Sequence, residues 1–308
     1  MRPLPTNLEI TPKRLGIITL KKYCPRCFWY QLKFRFRPPF NSFGGAIFKQ
    51  MEQIQMAIVW YFLEKDGKLP SEFAPFCDLV SRVEFPRHWS TYEYLLDNGV
   101  LLYGEPDDIV SVSDGTIAIL DHKTAYNKGG EDPFLPCYEI QCIGYGMIAE
   151  HGLKLGTVSK AGLFYWEVQH KSVQSDPAKF YKDKRAWAPF VPKPLAVEMD
   201  YSRLTPVLKE AEKVWNAKTP PKGAKDCEDC EKLEALFAMQ AQIEQQLMKN
   251  DQKMLAMSGN DRVIANNIHQ HTYDRSRTRI EALLKVQENF AFAEDGVVAN
   301  WDFIDDGV

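Results

Sequence analysis

Tyr103-Gly104-Glu105-Pro106-Asp107-Asp108-Ile109-Val110 and, after a hairpin-length gap, Ile119-Leu120-Asp121-His122-Lys123 set an acidic turn ahead of a strand that carries an acid and a lysine. On a strand, side chains at i and i+2 share a face, so Asp121 and Lys123 point one way and His122 the other. Asp107, from the preceding turn, then comes beside Asp121 and completes an oxygen-rich pocket of the kind that Mg²⁺ or Mn²⁺ requires. Lys123 lies next to it. In phosphodiester hydrolysis the metal polarises the phosphoryl oxygen and acidifies a bound water, while the ammonium positions that water or offsets developing charge. A surface strand with a salt bridge would give the same D-x-K letters, but the upstream G-x-x-D at hairpin spacing favours the catalytic reading. Asp108 competes with Asp107 for the ligand role.

Outward from this stretch the pattern alternates between helix and strand. Residues 12 to 37 read as helix around a cysteine pair and break at Pro38-Pro39. A second helix runs from about Gly45 to Glu64, with Ile47, Met51, Ile54, Ile58 and Phe62 spaced for one buried stripe. Val100 to Tyr103, Ile109 to Val112 and Ile117 to Leu120 are β-rich runs, with Ser113-Asp114-Gly115 turning between the last two. Glu139 to Gly152 is helical, Ala161 to Val168 is a core strand rather than a base-stacking platform, and Ser202 to Asn216 is a helix. Beyond a Pro/Lys linker, Thr219 to Lys225, two long helices, Leu233 to Met257 and Arg262 to Phe290, form an antiparallel pair joined at Ser258-Gly259-Asn260.

With 308 residues, 45% of them apolar, and a net charge of 38 − 41 = −3, the chain is an ordinary globular one and neither disordered nor fibrous. It has no apolar run of the ~18 residues that span a bilayer and no N-terminal signal region, which reads as a cytoplasmic protein without membrane contact. Charge is unevenly spread. From Ile10 to Met51 there are nine cations and no acid. Tyr23, Phe28, Trp29, Tyr30, Phe34 and Phe36 are interleaved, the mixture of charge and stacking faces that a nucleic-acid groove uses; Lys21, Lys22, Arg26, Arg35 and Arg37 are the candidate contacts. After Lys285 come six acids and no cation, an acidic tail.

Seven cysteines are present. Cys24-Pro25-Arg26-Cys27 and Cys227-Glu228-Asp229-Cys230 are two C-x-x-C units flanking the acid-and-lysine core, a pattern that points to one four-thiolate site holding Zn²⁺ or an iron-sulfur cluster. Cys77, Cys137 and Cys142 have no partner spacing and read as packed thiols. His269 and His271, two apart on a helix, face different ways and share no metal.

In order and residue type these motifs resemble the PD-(D/E)XK nuclease superfamily, in particular its RecB-like exonucleases and the nucleases of CRISPR adaptation. Their pattern is a helical Glu, G-x-x-D, (D/E)-x-K and a helical Q-x-x-x-Y, matched here by Glu52, Asp107, Asp121 with Lys123, and Gln141 with Tyr145. The resemblance spans about residues 15 to 231. It implies an α/β fold of restriction-endonuclease type, a central mixed β-sheet flanked by helices, to which this chain adds a C-terminal helical hairpin. RecB-like members carry a His four residues before the helical Glu; here that position is Phe48, which leaves one catalytic metal or two open. The cysteine pairs resemble the iron-sulfur staple of those nucleases, implying a [4Fe-4S] cluster, with Zn²⁺ as the alternative because two-plus-two spacing departs from their one-plus-three.

The expectation is therefore a nuclease-like domain over residues 1–231, a helical extension over 232–290 and an acidic tail over 291–308. Its activity would be Mg²⁺- or Mn²⁺-dependent DNA hydrolysis on ends or single strands, in repair, recombination or CRISPR-type processing. Asp107 and Asp121 would hold the metal with Glu52 on it or on its water, Lys123 would activate the attacking water, and Gln141 with Tyr145 would hold the strand. The alternative is a catalytically inactive nucleic-acid-binding subunit of a repair or replication assembly, with a protein partner or a second copy on the C-terminal helices.

Overall fold

A computed structural model describes residues 7–34, 46–83 and 91–255. The chain divides into two units, residues 1–37 with 46–225, and residues 38–45 with 226–308.

In chain order the first unit contains β1 (Glu9–Ile10), α1 (Pro12–Gly16), α2 (Pro25–Phe34), α3 (Ala46–Asp66), β2 (Leu79–Arg82), β3 (Glu93–Leu95), β4 (Leu101–Tyr103), β5 (Asp108–Val112), β6 (Ile117–Lys123), α4 (Leu135–Met147), β7 (Val158–Val168), α5 (His170–Ser175), β8 (Tyr181–Lys182), β9 (Arg185–Ala186), β10 (Phe190–Val197) and α6 (Leu204–Asn216). Its main sheet is mixed, in the order β10-β7-β6-β5-β2, with β6 and β7 parallel and the other neighbours antiparallel. A three-stranded sheet β1-β4-β3 and the β8–β9 ribbon complete it.

Two faces of the main sheet feed two cores. Ile109, Ile117, Ile119, Leu163 and Tyr165 pack toward Ile140 and Ile143 of α4 and the buried stripe Leu204, Val207, Leu208, Ala211 and Val214 of α6. Val110, Val112, Ala118, Leu120, Phe164 and Trp166 pack toward Val59 and Leu63 of α3. Being covered on both sides, β6 reads as a continuous buried run rather than an alternation: all seven of its residues are buried. Gly162 of β7 lies flat under Phe76; a β-carbon there would stand 2.5 Å from Phe76 Cζ, so only glycine fits the approach.

The stripe expected on α3 is not the one the fold buries. Ile47, Ile54 and Ile58 are exposed, at 58%, 56% and 37%. The helix instead turns Gln55, Val59 and Leu63 inward, with Glu52 and Phe48 one and two turns further back on the same side. Both stripes satisfy helical spacing. The choice falls to the one whose Gln55 and Trp60 find hydrogen-bond partners on the sheet. The β10 strand, where Pro192 and Pro194 read against a strand, sits at the sheet edge, the position at which a missing N–H costs no ladder bond.

The second unit is described from Asp226 through α7 (Glu228–Leu255), whose first turn holds Glu228, Asp229 and Glu231, acids that complement the positive end of the helix dipole. Leu236, Phe237, Met239, Ile243 and Met248 are exposed on it. The expected second arm, residues 262–290, and the acidic tail lie outside the described residues, as do His269 and His271. No described helix is long and apolar enough to cross a membrane.

Candidate active site

In the antiparallel pair β5–β6, Asp108 stands opposite Leu120, so Asp107, just before β5, comes level with Asp121. Asp107 Oδ2 accepts a hydrogen bond from the His122 backbone N–H at 2.6 Å, which holds the turn against the strand. Alternation along β6 then aims Asp121 and Lys123 at α4 and His122 at the opposite core. From α4, Gln141 Nε2 donates to Asp121 Oδ1 at 3.0 Å. Lys123 Nζ lies 2.9 Å from Asp121 Oδ2 and 4.5 Å from the centre of the Tyr138 ring, so the ammonium is held between a carboxylate and an aromatic face. Asp121, Lys123 and Gln141 are all buried.

Charge is crowded here. Burial pushes the Asp107 carboxyl well above the usual carboxylate range, the neighbouring charges of Asp121 and then Glu52 push it further, and Lys123 and His122 offset this only in part. Glu52 thus joins the acids from α3, one turn before Gln55. Burial raises the Tyr138 phenol to about 12, which keeps it protonated under the ammonium. The Cys142 thiol is driven up by burial and then by Asp121, so it remains a packed thiol, as does Cys137, raised to about 11 by burial.

The donor set fits a hard divalent cation: converging carboxylates whose mutual repulsion a positive ion relieves, plus Gln141 Oε1 and Gln55 Oε1, buried carbonyl oxygens without a donor among the described residues. Gln55, which sequence reasoning passed over, donates to Thr124 Oγ1 at 2.6 Å. Its signal was an amide in phase with Val59 and Leu63 on the stripe that was not chosen.

Asp108 takes no part in this cluster. Its carboxyl turns to the other face, where Trp60 Nε1 donates to Oδ2 at 2.6 Å and Arg82 Nε stands 3.9 Å from Oδ1. The Arg82 guanidinium stacks over Trp60 at 3.7 Å. His122 Nδ1 accepts from Trp166 Nε1 at 3.0 Å, which places the ring proton on Nε2, 3.9 Å from Asp108 Oδ2. Asp107 and Asp108 are therefore divided between the two sides of one sheet.

Tyr145 is buried in the core beside Gly104 rather than open to the cleft. A β-carbon at 104 would meet its ring at 3.3 Å, and the Gly104 φ of +136° is one that side chains rarely adopt. Phe48 is half-buried on α3. Of the basic candidates, Lys21 and Lys22 are exposed, Arg26 Nε donates to the Pro221 carbonyl at 3.3 Å, and Arg35 and Arg37 lie outside the described residues. Phe28 and Trp29 are not free stacking faces. Both sit in the core, Trp29 Nε1 donating to the Ala217 carbonyl at 2.9 Å, because α2 must bury one face.

Cys24 and Cys27 are buried at the start of α2, Cys227 is half-buried just before α7 and Cys230 is buried in its first turn, and none of the four is in a disulfide. The Ala224 N–H donates to Cys24 Sγ at 3.3 Å, a bond that stabilises a thiolate. Four thiolates suit a soft-binding ion, Zn²⁺ or iron.

The family model of the PD-(D/E)XK nuclease superfamily matches residues 24–235. No curated protein matches the sequence. Among solved structures, similarity is found to the crystal structure of an alkaline exonuclease, LHK-Exo, from Laribacter hongkongensis, at 11% identity over 76% of this chain and 94% of that one with a TM-score of 0.31. The same protein in complex with dAMP matches at 12% identity over the same shares, TM-score 0.32. The crystal structure of SSO0001 matches at 15% identity over 70% and 80%, TM-score 0.29.

Proposed function

This chain belongs to the PD-(D/E)XK nuclease superfamily, and from that membership and the geometry of β5, β6 and α4 we propose that it is a divalent-metal-dependent DNA nuclease acting on ends or single strands. The observation that carries the reading is the buried pair Asp121 and Lys123, with Gln141 fixed on Asp121 and half-buried Asp107 level with it. A structural ion pair would not need a second acid brought level with the first and raised by its charge.

When bound, Mg²⁺ or Mn²⁺ supplies Lewis-acid polarisation of the phosphoryl oxygen and lowers the pKa of a coordinated water. Asp107 and Asp121 offer the hard oxygen ligands, with Glu52 the third acid toward the same point. Gln141 fixes the rotamer of Asp121, so the ligand oxygen does not wander. Lys123, desolvated beside Asp121 and Tyr138, orients the attacking water and offsets the charge that grows on the phosphoryl oxygens. The turn at Gly104 and the His122 N–H hold Asp107 level with Asp121. The four cysteines form a structural centre, Zn²⁺ or [4Fe-4S], in a thiol-rich chain suited to a reducing compartment such as the cytoplasm. Lys21 and Lys22 add phosphate contacts at the surface.

The second reading, a binding subunit without catalysis, draws on Phe48, which puts a phenyl ring one turn before Glu52. Degradation of end-labelled single- and double-stranded DNA with Mg²⁺, Mn²⁺ or chelator separates the two. Metal-dependent cleavage lost in Asp121→Ala and Lys123→Ala supports the nuclease; DNA binding without cleavage under any metal supports the binding subunit.

A further inference from the structure

Between Val168 and Pro189 the chain leaves the main sheet and returns, carrying α5, a 3₁₀ turn (Pro177–Phe180) and the β8–β9 ribbon. β7 runs parallel to β6 with Tyr165 beside Lys123 and ends three residues further on, so this excursion leaves from the same strand ends at which Lys123 lies. Its base is anchored: Gln169 N–H donates to the Pro189 carbonyl at 2.9 Å, and Tyr126 OH donates to the Val168 carbonyl at 3.0 Å.

The ribbon itself follows no structural economy. Its two-residue turn, Asp183-Lys184, has φ of 52° and 62°, the left-handed region that such turns usually fill with Asn or Gly. Across it Lys182 pairs directly with Arg185, two like charges in opposed positions. Residues 170–189 hold five cations, Lys171, Lys179, Lys182, Lys184 and Arg185, against two acids, Asp176 and Asp183, a net of 5 − 2 = +3 in a chain whose total is −3. Residues 181–188 are all exposed, including Tyr181 at 62% and Trp187 at 58%. Strand alternation sets Trp187 on the face of Arg185, and the pairing adds Lys182 to that face, with Tyr181 on the reverse.

A ribbon whose local choices oppose its own stability yet concentrate cations and open rings is shaped by a ligand rather than by the core. That ligand is polyanionic and offers flat apolar faces. An unpaired nucleic-acid strand has both, phosphates for Lys182 and Arg185 and a base for Trp187 on the same face; a duplex hides its base faces in the stack. Resting on the nuclease reading, we propose that the β8–β9 ribbon is a single-stranded DNA-binding arm that presents the unpaired strand to the Asp107–Asp121–Lys123 site.

The test uses the full chain in chelator, where no hydrolysis occurs, and the fluorescence anisotropy of a labelled oligo(dT) over a salt series. Trp187→Ala is expected to weaken binding about 5- to 150-fold, the effect of losing one stacked base. Lys182→Gln/Arg185→Gln is expected to reduce the slope of log K against log salt by about 1.4, the share of two phosphates on a single strand. Hydrolysis of bis(p-nitrophenyl) phosphate with Mn²⁺, a diester too small to reach the ribbon, should be unchanged in both variants. Wild-type affinity and salt slope in both variants would overturn the arm, and equal losses on a blunt duplex would overturn its assignment to single strands. Lost oligo(dT) binding with a wild type that cleaves no diester keeps the arm and defeats the nuclease reading instead.

Discussion

Asp107 and Asp108 are neighbours in sequence, and the fold gives them opposite duties that one set of variants can separate. Asp108 is buried, and its Oδ2 takes a 2.6 Å hydrogen bond from Trp60, while Arg82 Nε and His122 Nε2 both stand back at 3.9 Å. Trp60→Phe keeps the ring under the Arg82 guanidinium and removes only that donor. A hydrogen bond to a charged acceptor is worth about 1.5–3 kcal/mol, and the oxygen left behind lies where water cannot replace the donor. A cost of about 2 kcal/mol lowers the melting temperature by roughly 4–8 °C in a domain of this size. Asp108→Ala strands the indole N–H in turn and should cost a comparable amount. The double variant, with neither partner left alone, should cost less than the sum by about 1.5–3 kcal/mol, the coupling read from a double-mutant cycle by thermal or denaturant melting. Below its melting range Asp108→Ala should retain metal-dependent cleavage, whereas Asp107→Ala should lose it. Additive losses for Trp60 and Asp108, or cleavage that survives loss of Asp107 and disappears with Asp108, would refute the division.

Gln141→Leu removes the donor that fixes Asp121 and should weaken Mn²⁺ binding or lower kcat about 10- to 100-fold, measured by calorimetry and by cleavage rate. Because Asp107 binds its proton more tightly folded than unfolded, its contribution to stability is fully present below the unfolded-state carboxylate range and is lost as pH rises through the higher folded value. The metal-free wild type should accordingly lose melting temperature relative to Asp107→Asn over that rise, and Mn²⁺ should restore it in the wild type alone. Anaerobically purified protein should carry either iron with labile sulfide or one zinc per chain, and Cys24→Ala/Cys227→Ala should lose that metal by elemental analysis.

The central motif was legible because strand geometry leaves few options: once Ile119 to Lys123 is a strand, Asp121 and Lys123 must share a side and His122 must leave it. Most helices were legible in place, but the one expected over residues 12 to 37 is two, α1 and α2, separated by a 3₁₀ turn at Ile17–Thr19 and an irregular stretch in which Pro25 opens the second, and orientation was less legible still. On α3 two apolar stripes compete, and Ile47, Ile54 and Ile58 lost because Gln55 and Trp60 need partners that only the sheet supplies. Those partners, Thr124 and Asp108, are 69 and 48 positions away, so no local pattern reports them. The β10 strand was hidden by its prolines, which signal an edge as readily as a break. The β8–β9 ribbon was hidden by shortness, since two residues a side carry no period. Aromatics between the N-terminal cations suggested stacking faces, but Phe28 and Trp29 went to the core, and exposed rings beside cations occur instead at Tyr181 and Trp187.

Seven consecutive enclosed residues in β6 include three that can carry charge, and the strand is paired with β7 along its whole length and with β5 over Ile117 to Leu120. Such a segment has no route to fray by itself; its amides can meet solvent only when the whole sheet comes apart. Catalytic competence and native structure should then vanish together on heating, with the slowest-exchanging amides of the protein lying in the doubly paired stretch Ile117 to Leu120, directly before the acid and the lysine.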